Sequence, residues 1–385
     1  MEVDSRAYWL WLQHALGAGG SKQNRILENY RSLSEFYSAG MLSWRLEGYF
    51  TSKELEKLES YSLSDAQAQL EYSEKIGQRV VTPDCPEYPE PLRQIHNPPC
   101  VLYVRGKLPD FSVMPGISVV GTRKATATGV SIARSFSYEL ARNGATVVSG
   151  GALGIDTAAH KGALQANGIT VCVLGCGIDY NYLMGNASLR AAIANSGAVI
   201  SEYPPHTQPS SPNFPIRNRI ISGLSLGTLV VEAAGKSGSL ITADFALEQG
   251  RDVFAVPAGI YSPVSQGVNN LIKNGAKPVS NAMEILEEYP EYFQNTIRVD
   301  DGTENILVKQ DLVPHDKKRE PEPLADSFSA DAVQLYKHLT EEPVPVGQLG
   351  VLTKIPAQRL LAAVTELELA DKICAYSGKR YSLPN

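Results

Sequence analysis

The chain lacks many of the features by which common functional classes are recognised. Its five cysteines, Cys85, Cys100, Cys172, Cys176 and Cys374, form no CxxC pair, and an odd number cannot all pair within one chain. This usage argues against a disulfide framework or a thiolate metal centre, and a reducing cytoplasm is the simplest expected home. Cys172 and Cys176 bracket a strand end and read as small buried residues. No apolar run approaches the ~20 residues needed to cross a bilayer, so no membrane association is expected. The start carries Glu2 and Asp4 before a short apolar stretch at Tyr8–Leu12, whereas a secretory signal wants basic residues and a longer run. No internal repeat is visible. An overall basic balance is also missing: the net charge is −6. Between Pro115 and Leu286, however, twelve basic residues face nine acidic ones. A mildly basic centre between acidic flanks is compatible with a local phosphate site without demanding one.

What is present is enough apolar material for a large core, with 385 residues of which 43% are hydrophobic, and a length that suits two or three domains. Residues 1–80 read as a helical domain, with Gly17-Ala18-Gly19-Gly20 as a hairpin between two periodic segments. A SAM-like or helix-hairpin-helix module fits that pattern. Such hairpins grip DNA backbone in some proteins, but only Lys22 and Arg25 lie close to this one, so a packing or partner-binding role is at least as good a reading. Residues 81–290 begin with a proline-punctuated stretch and a strand, Cys100–Val104. Short apolar runs then alternate with helix-length segments: Ile117–Val120, Ala145–Val148, Thr170–Leu174, Ala198–Ile200, Thr228–Glu232 and Asp252–Val256. Near-continuous Val, Ile and Leu content marks strands covered on both faces, hence an α/β fold with a Rossmann-like, doubly wound, mostly parallel sheet. Residues 291–325 turn polar and charged and read as a linker. Residues 326–385 offer three helices, Ala330–Leu339, Val346–Val351 and Gln358–Leu369, then a strand pair at Lys372–Tyr376 and Arg380–Leu383, which is a winged-helix pattern.

Three small-residue turns stand where a strand meets a helix. The first, Gly121-Thr122-Arg123-Lys124, combines close backbone approach with two cations, and amides at a helix start attract anions. Arg123 can grip phosphate oxygens in a bidentate fork. The second, Gly150-Gly151-Ala152-Leu153-Gly154, follows the next strand; the third is Lys236-Ser237-Gly238-Ser239. Each signal is weak taken singly: the first also reads as a tight βα turn with surface cations, and N-capping alone would explain the serines of the third. The first two lack GxGxxG spacing and Gly-Lys-Ser/Thr, so no nucleotide cofactor such as ATP or NAD is expected. Between the second and third turns comes Phe214-Pro215-Ile216-Arg217-Asn218-Arg219. Cations beside a ring are how sequence-tolerant single-strand sites are built. Alternatively Phe214 is core and one arginine pairs with Glu202 or Glu232; both readings can hold, one for each arginine. Asp156 and His160, four apart on a helix, read as a structural pair, and no further histidine or cysteine stands at metal-ligand spacing.

In order along the chain, GTRKATATG, SGGALGIDTAAHKGAL, VLGCGID, ISEYPP, FPIRNRIISGLS, VVEAAGKSGSLITADFALEQGRDVFAVP and GVNNLI resemble the DprA/Smf family of DNA-processing proteins. The resemblance implies a homodimeric cytoplasmic protein that coats incoming single-stranded DNA and helps load the RecA recombinase during natural transformation, with no chemical step. It places the strand-binding pocket at Gly121, Thr122 and Arg123, at the Gly151–Gly154 turn including Ala152, and at Arg217–Arg219. Two departures stand out. Tyr182-Leu183-Met184 replaces a usual Tyr-Pro-Lys, which implies either a lower affinity or a cation supplied instead by Lys124 or Lys236. Val256-Pro257-Ala258-Gly259 replaces a usual Val-Pro-Gly. Helix Gln358–Leu369 offers Gln358 and Arg359 and then turns apolar and acidic, which favours protein contact over DNA reading. The enzyme alternative is a Rossmann-like phosphoribohydrolase using Glu232 or Glu202; a third reading is a protein-only scaffold. Val253–Val256 and Leu271–Ile272 are candidates for a dimer surface or for core.

Overall fold

The computed structural model describes residues 3–262, 264–293, 328–339, 344–370, 372–376 and 380–383. The chain divides into two compact units, Met1–Asp300 and Asp301–Asn385. The expected linker lies outside the described residues apart from 291–293.

The first unit opens with five helices, α1 (Ser5–Leu16), α2 (Lys22–Asn29), α3 (Leu33–Leu46), α4 (Ser52–Ser60) and α5 (Leu63–Lys75). Local chemistry starts several of them. The Asp4 carboxylate accepts from Arg6 N at α1, and capping boxes Thr51/Glu54 and Ser62/Asp65 open α4 and α5. Trp11, Phe36 and Trp44 bring the helices together, and the same apolar cluster reaches Tyr103, Leu174 and Val199 of the sheet. The helical stretch ends in a strand, β1 (Arg79–Val81), which pairs antiparallel with β2 (Leu102–Gly106) after the short α6 (Glu90–Arg93).

The sheet elements follow in alternation: β3 (Gly116–Val120), α7 (Ala127–Arg142), β4 (Thr146–Ser149), α8 (Ile155–Gln165), β5 (Thr170–Leu174), α9 (Ala187–Ser196) and β6 (Ala198–Ser201). Then come α10 (Asn213–Gly223), β7 (Ser225–Val230), α11 (Gly238–Glu248), β8 (Asp252–Ala255), α12 (Gln266–Lys273) and β9 (Lys277–Pro278), closed by α13 (Met283–Leu286) and α14 (Pro290–Phe293). Among the described residues these strands form a nine-stranded sheet of order β1-β2-β6-β5-β4-β3-β7-β8-β9, parallel from β6 to β9. The expected strands sit within a few residues of their predicted positions, as the fraying of element ends allows. The chain steps outward from β3 to β6 and then returns to the other side of β3 with β7. That reversal makes the carboxyl end of β3 the topological switch point, where open α/β sheets leave a crevice.

Both sheet faces are covered, which is why the strands carry so few polar residues. Ile117, Val119 and Leu229 pack against Phe136 and Leu140 of α7, while Val120, Val148 and Val230 pack against Ile220 and Ile221 of α10. Val253 and Phe254 are core residues on β8, and Leu271 and Ile272 pack partly buried against the core. No helix among the described residues is long and apolar enough to cross a membrane.

The second unit contains α15 (Ala330–Tyr336), β10 (Val344–Pro345), α16 (Val346–Thr353), α17 (Ala357–Leu369), β11 (Cys374–Tyr376) and β12 (Arg380–Ser382). Its strands order β10-β12-β11 around a core of Leu335, Leu349, Leu360 and Leu367. Strand β10 escaped the sequence pattern because two residues, one of them Pro345, give no alternation to read.

Candidate nucleic-acid interface

A cleft of about 470 Å³ opens at the switch point. Four elements meet there: Gly121, Thr122 and Arg123 after β3, Ala152 and Asp156 around the start of α8, Phe214, Arg217 and Asn218 on α10, and Ser237, Gly238, Ser239 and Thr242 at the start of α11. Sequence positions more than a hundred residues apart are thus gathered at one sheet edge. Gly151 and Gly154 support this cleft without lining it. Gly154 has φ +78°, and a Cβ there would stand 2.4 Å from Thr122 O, so the first two turns touch through backbone that only glycine permits. Exposed Lys124 and Lys236 flank the lining residues.

The electrostatics differ from turn to turn. The start of α7 is occupied by the protein's own carboxylate: Glu232 accepts from Thr126 N (2.9 Å) and Thr126 Oγ1 (2.5 Å). The helix dipole behind the first turn is therefore already answered, and the anion attraction of that turn rests on exposed Arg123. Arg123 lies over the Phe214 ring, 5.1 Å from its centroid, and the Tyr182 ring stands tilted with its centroid 5.5 Å from that of Phe214. At the third turn Ser237 caps α11, its hydroxyl accepting from Ser239 N. That turn does contain Gly235-Lys236-Ser237, but Val230 stands where a Walker loop places its first glycine.

The two arginines of α10 separate. Arg217 is 5% exposed and lines the cleft; it donates through Nη1 to Gly150 O (2.8 Å) and Val173 O, and through Nε to Asn218 Oδ1 (3.3 Å). Arg219 is 4% exposed and bound to Glu202 at 2.7 Å, away from the cleft, which corrects the expectation that it contacts the strand. Glu202 also accepts from Gly19 N (3.1 Å). The glycine hairpin is thereby docked on the core, and its neighbours are committed too: Lys22 to Glu54, Arg25 over Tyr49. Both carboxylates considered for hydrolysis, Glu202 and Glu232, are thus tied to structural partners.

Asp156 and His160 do not pair. Asp156 accepts from Ala152 N (3.3 Å), while His160 turns to Thr170 on β5, with Nδ1 and Oγ1 2.7 Å apart. Burial holds the His160 imidazole neutral, its pKa down at about 3. Burial raises the Asp156 carboxyl against the opposing pull of Arg217 and the Ala152 amide. Asp156 was missed as a cleft residue because its spacing to His160 suggested a different partner. Burial likewise pushes the thiols of Cys172 and Cys176 up, to about 12 and about 11, which disfavours the thiolate that a nucleophile or metal ligand requires. Among the described residues no cluster of three or more metal-ligating side chains occurs. In the second unit, Arg359 on α17 is held by Asp331 through two 2.7 Å hydrogen bonds.

Comparison with known proteins fits this architecture. Residues 79–290 match the family model described as DNA recombination-mediator protein A. The chain belongs to the DprA/Smf family. Residues 318–379 match the DprA winged helix domain. Protein Smf of Synechocystis is 33% identical over 406 residues, covering 99% of both chains, and DNA processing protein DprA of Bacillus subtilis is 44% identical over 205 residues, covering 53% of this chain and 69% of its own. The solved DprA of Streptococcus pneumoniae superposes with a TM-score of 0.65 at 33% identity, over 75% of this chain and 99% of that one. The DprA of Helicobacter pylori, solved for its single-stranded DNA binding mode, gives 0.50 at 29% identity, over 56% of this chain and 97% of that one.

Proposed function

We propose that this chain binds single-stranded DNA in the switch-point cleft and acts as a recombination mediator. It shields an incoming strand in the cytoplasm and passes it to a RecA recombinase, without a chemical step of its own. The observation that carries this reading is Arg123 over Phe214 at the mouth of the cleft. A guanidinium for phosphate beside a ring for stacking is the minimum equipment of a sequence-tolerant strand site. The recombination-mediator family model and the strand-binding H. pylori relative support it. The same reading divides the chain into a SAM-like helical domain at 1–80, a strand-binding core at 81–290, a linker at 291–325 and a winged helix at 326–385. The winged helix serves protein contact, because Arg359 is spent on Asp331. The reading of the whole chain also includes a homodimer, for which Ile260 and Tyr261 of the first unit, 79% and 95% exposed, offer an apolar surface outside the cleft.

The test is oligo-dT binding by the full chain across a salt series. Affinity falls steeply with salt, and Arg123→Glu abolishes retention while the thermal melt is unchanged. Undiminished binding by that variant would remove the site assignment.

A further inference from the structure

The floor of the cleft carries a group that a phosphate site does not explain. Asp156 lines it, 7% exposed, and the same cleft is lined by Arg123 at its mouth. A carboxylate facing phosphodiester oxygens is repulsive, so the floor is built for something else. Beside it stands Arg217. The space directly above Gly150 is bounded by both: a Cβ at that position would lie 2.7 Å from Asp156 Oδ2 and 2.7 Å from Arg217 Nη2. Nη1 and Nε of Arg217 are committed to protein acceptors, whereas Nη2 has none among the described residues. Asp156 has the Ala152 amide at 3.3 Å and draws on the Gly150 backbone as well, whereas a carboxylate accepts up to about four hydrogen bonds. A guanidinium donor and a carboxylate acceptor, each more than nine-tenths buried, therefore stand side by side with capacity to spare.

We propose that Asp156 and Arg217 form a base-reading floor in this cleft that favours guanine. This rests on the single-strand reading above, and it sharpens it from a sequence-tolerant site to one with a preference. Unstacked bases are read on their Watson–Crick edges. Guanine presents one acceptor, O6, followed by two adjacent donors, N1–H and N2–H. Arg217 Nη2 meets the acceptor and Asp156 meets the donors. Thymine offers acceptor, donor, acceptor, and its O2 would face the carboxylate. Cytosine and adenine each put a ring nitrogen acceptor at the centre of the edge, opposite the carboxylate. Phosphates stay at the mouth with Arg123, and the base enters between Phe214 and the α11 start.

The experiment is a set of anisotropy titrations of the full chain with an oligo-dT strand carrying one central dG, dA, dC or deoxyinosine. The strand can slide until the preferred base reaches the floor. A bidentate base contact predicts that the dG strand binds about 5- to 100-fold tighter than unsubstituted oligo-dT. Deoxyinosine, which lacks the N2 amine, returns most of that gain on the unaltered protein. The isosteric Asp156→Asn brings the dG-to-dT ratio towards one. Equal affinity for all five strands, or an unchanged ratio in Asp156→Asn, overturns the base-reading floor and leaves Asp156 as a charge partner of Arg217. No binding of any strand by the wild-type chain overturns the single-strand reading itself.

Discussion

The Arg123 guanidinium lies 5.1 Å from the centroid of the Phe214 ring, although 91 positions separate the two in sequence. One comes from the turn after β3 and the other from the first turn of α10, and the switch in strand order brings them to one rim. The ring pre-orients the cation at the cleft mouth.

Phe214→Ala removes that platform. A stacked base is worth about 1–3 kcal/mol by alanine substitution, so oligo-dT affinity falls by that amount. The salt slope changes little, because no phosphate contact is deleted. Parallel titrations at several salt concentrations check both statements.

Gly154→Ala forces a Cβ to 2.4 Å from Thr122 O at a backbone φ of +78°. The first two turns must separate, at a cost of about 1–3 kcal/mol in stability. Strand binding weakens with it, since Arg123 directly follows Thr122. Urea denaturation and strand titration of the same preparation read the two effects together.

Arg219→Met leaves Glu202 buried at 2% exposure without its cation, which costs about 3–5 kcal/mol. The double variant Glu202→Gln/Arg219→Met loses less than the sum, because no unpaired charge remains. The amide oxygen of Glu202→Gln still accepts from Gly19 N, so the glycine hairpin keeps that anchor in every variant of the cycle. Denaturation curves for the two single variants and the double variant complete the cycle.

Acid stability carries the signature of His160. Its folded-state pKa is depressed to about 3, below the 6.5 of an unperturbed imidazole. Between those values the unfolded chain binds a proton that the folded chain refuses. The contribution is thus fully present above the unfolded pKa and is lost as pH falls towards the folded one. His160→Gln therefore flattens the drop in stability between about pH 7 and about pH 5, measured by urea unfolding at each pH.

Much of this molecule was legible in local pattern. Strands buried on both faces must be apolar throughout, so β3 to β8 could be read from Val, Ile and Leu runs, and the small residues at the three turns announced tight βα connections. β1 was hidden because three residues at the end of a helical module give no period. The start of α7 was misjudged because Glu232, which fills it, arrives from a strand over a hundred positions away.

Residue by residue, the sequence by itself determined the order of elements, the glycines at the turns and the presence of cations near them, because these depend on neighbours along the chain. Only the tertiary structure decided which of those cations are available. Arg217 and Arg219 are two positions apart, hence about 200° apart around a helix, so one faces the cleft and the other must be buried on the opposite side. There Glu202 supplies the charge that burial requires. The same packing put Asp156 on the cleft floor and His160 against Thr170, a division that one-dimensional spacing has no means to express.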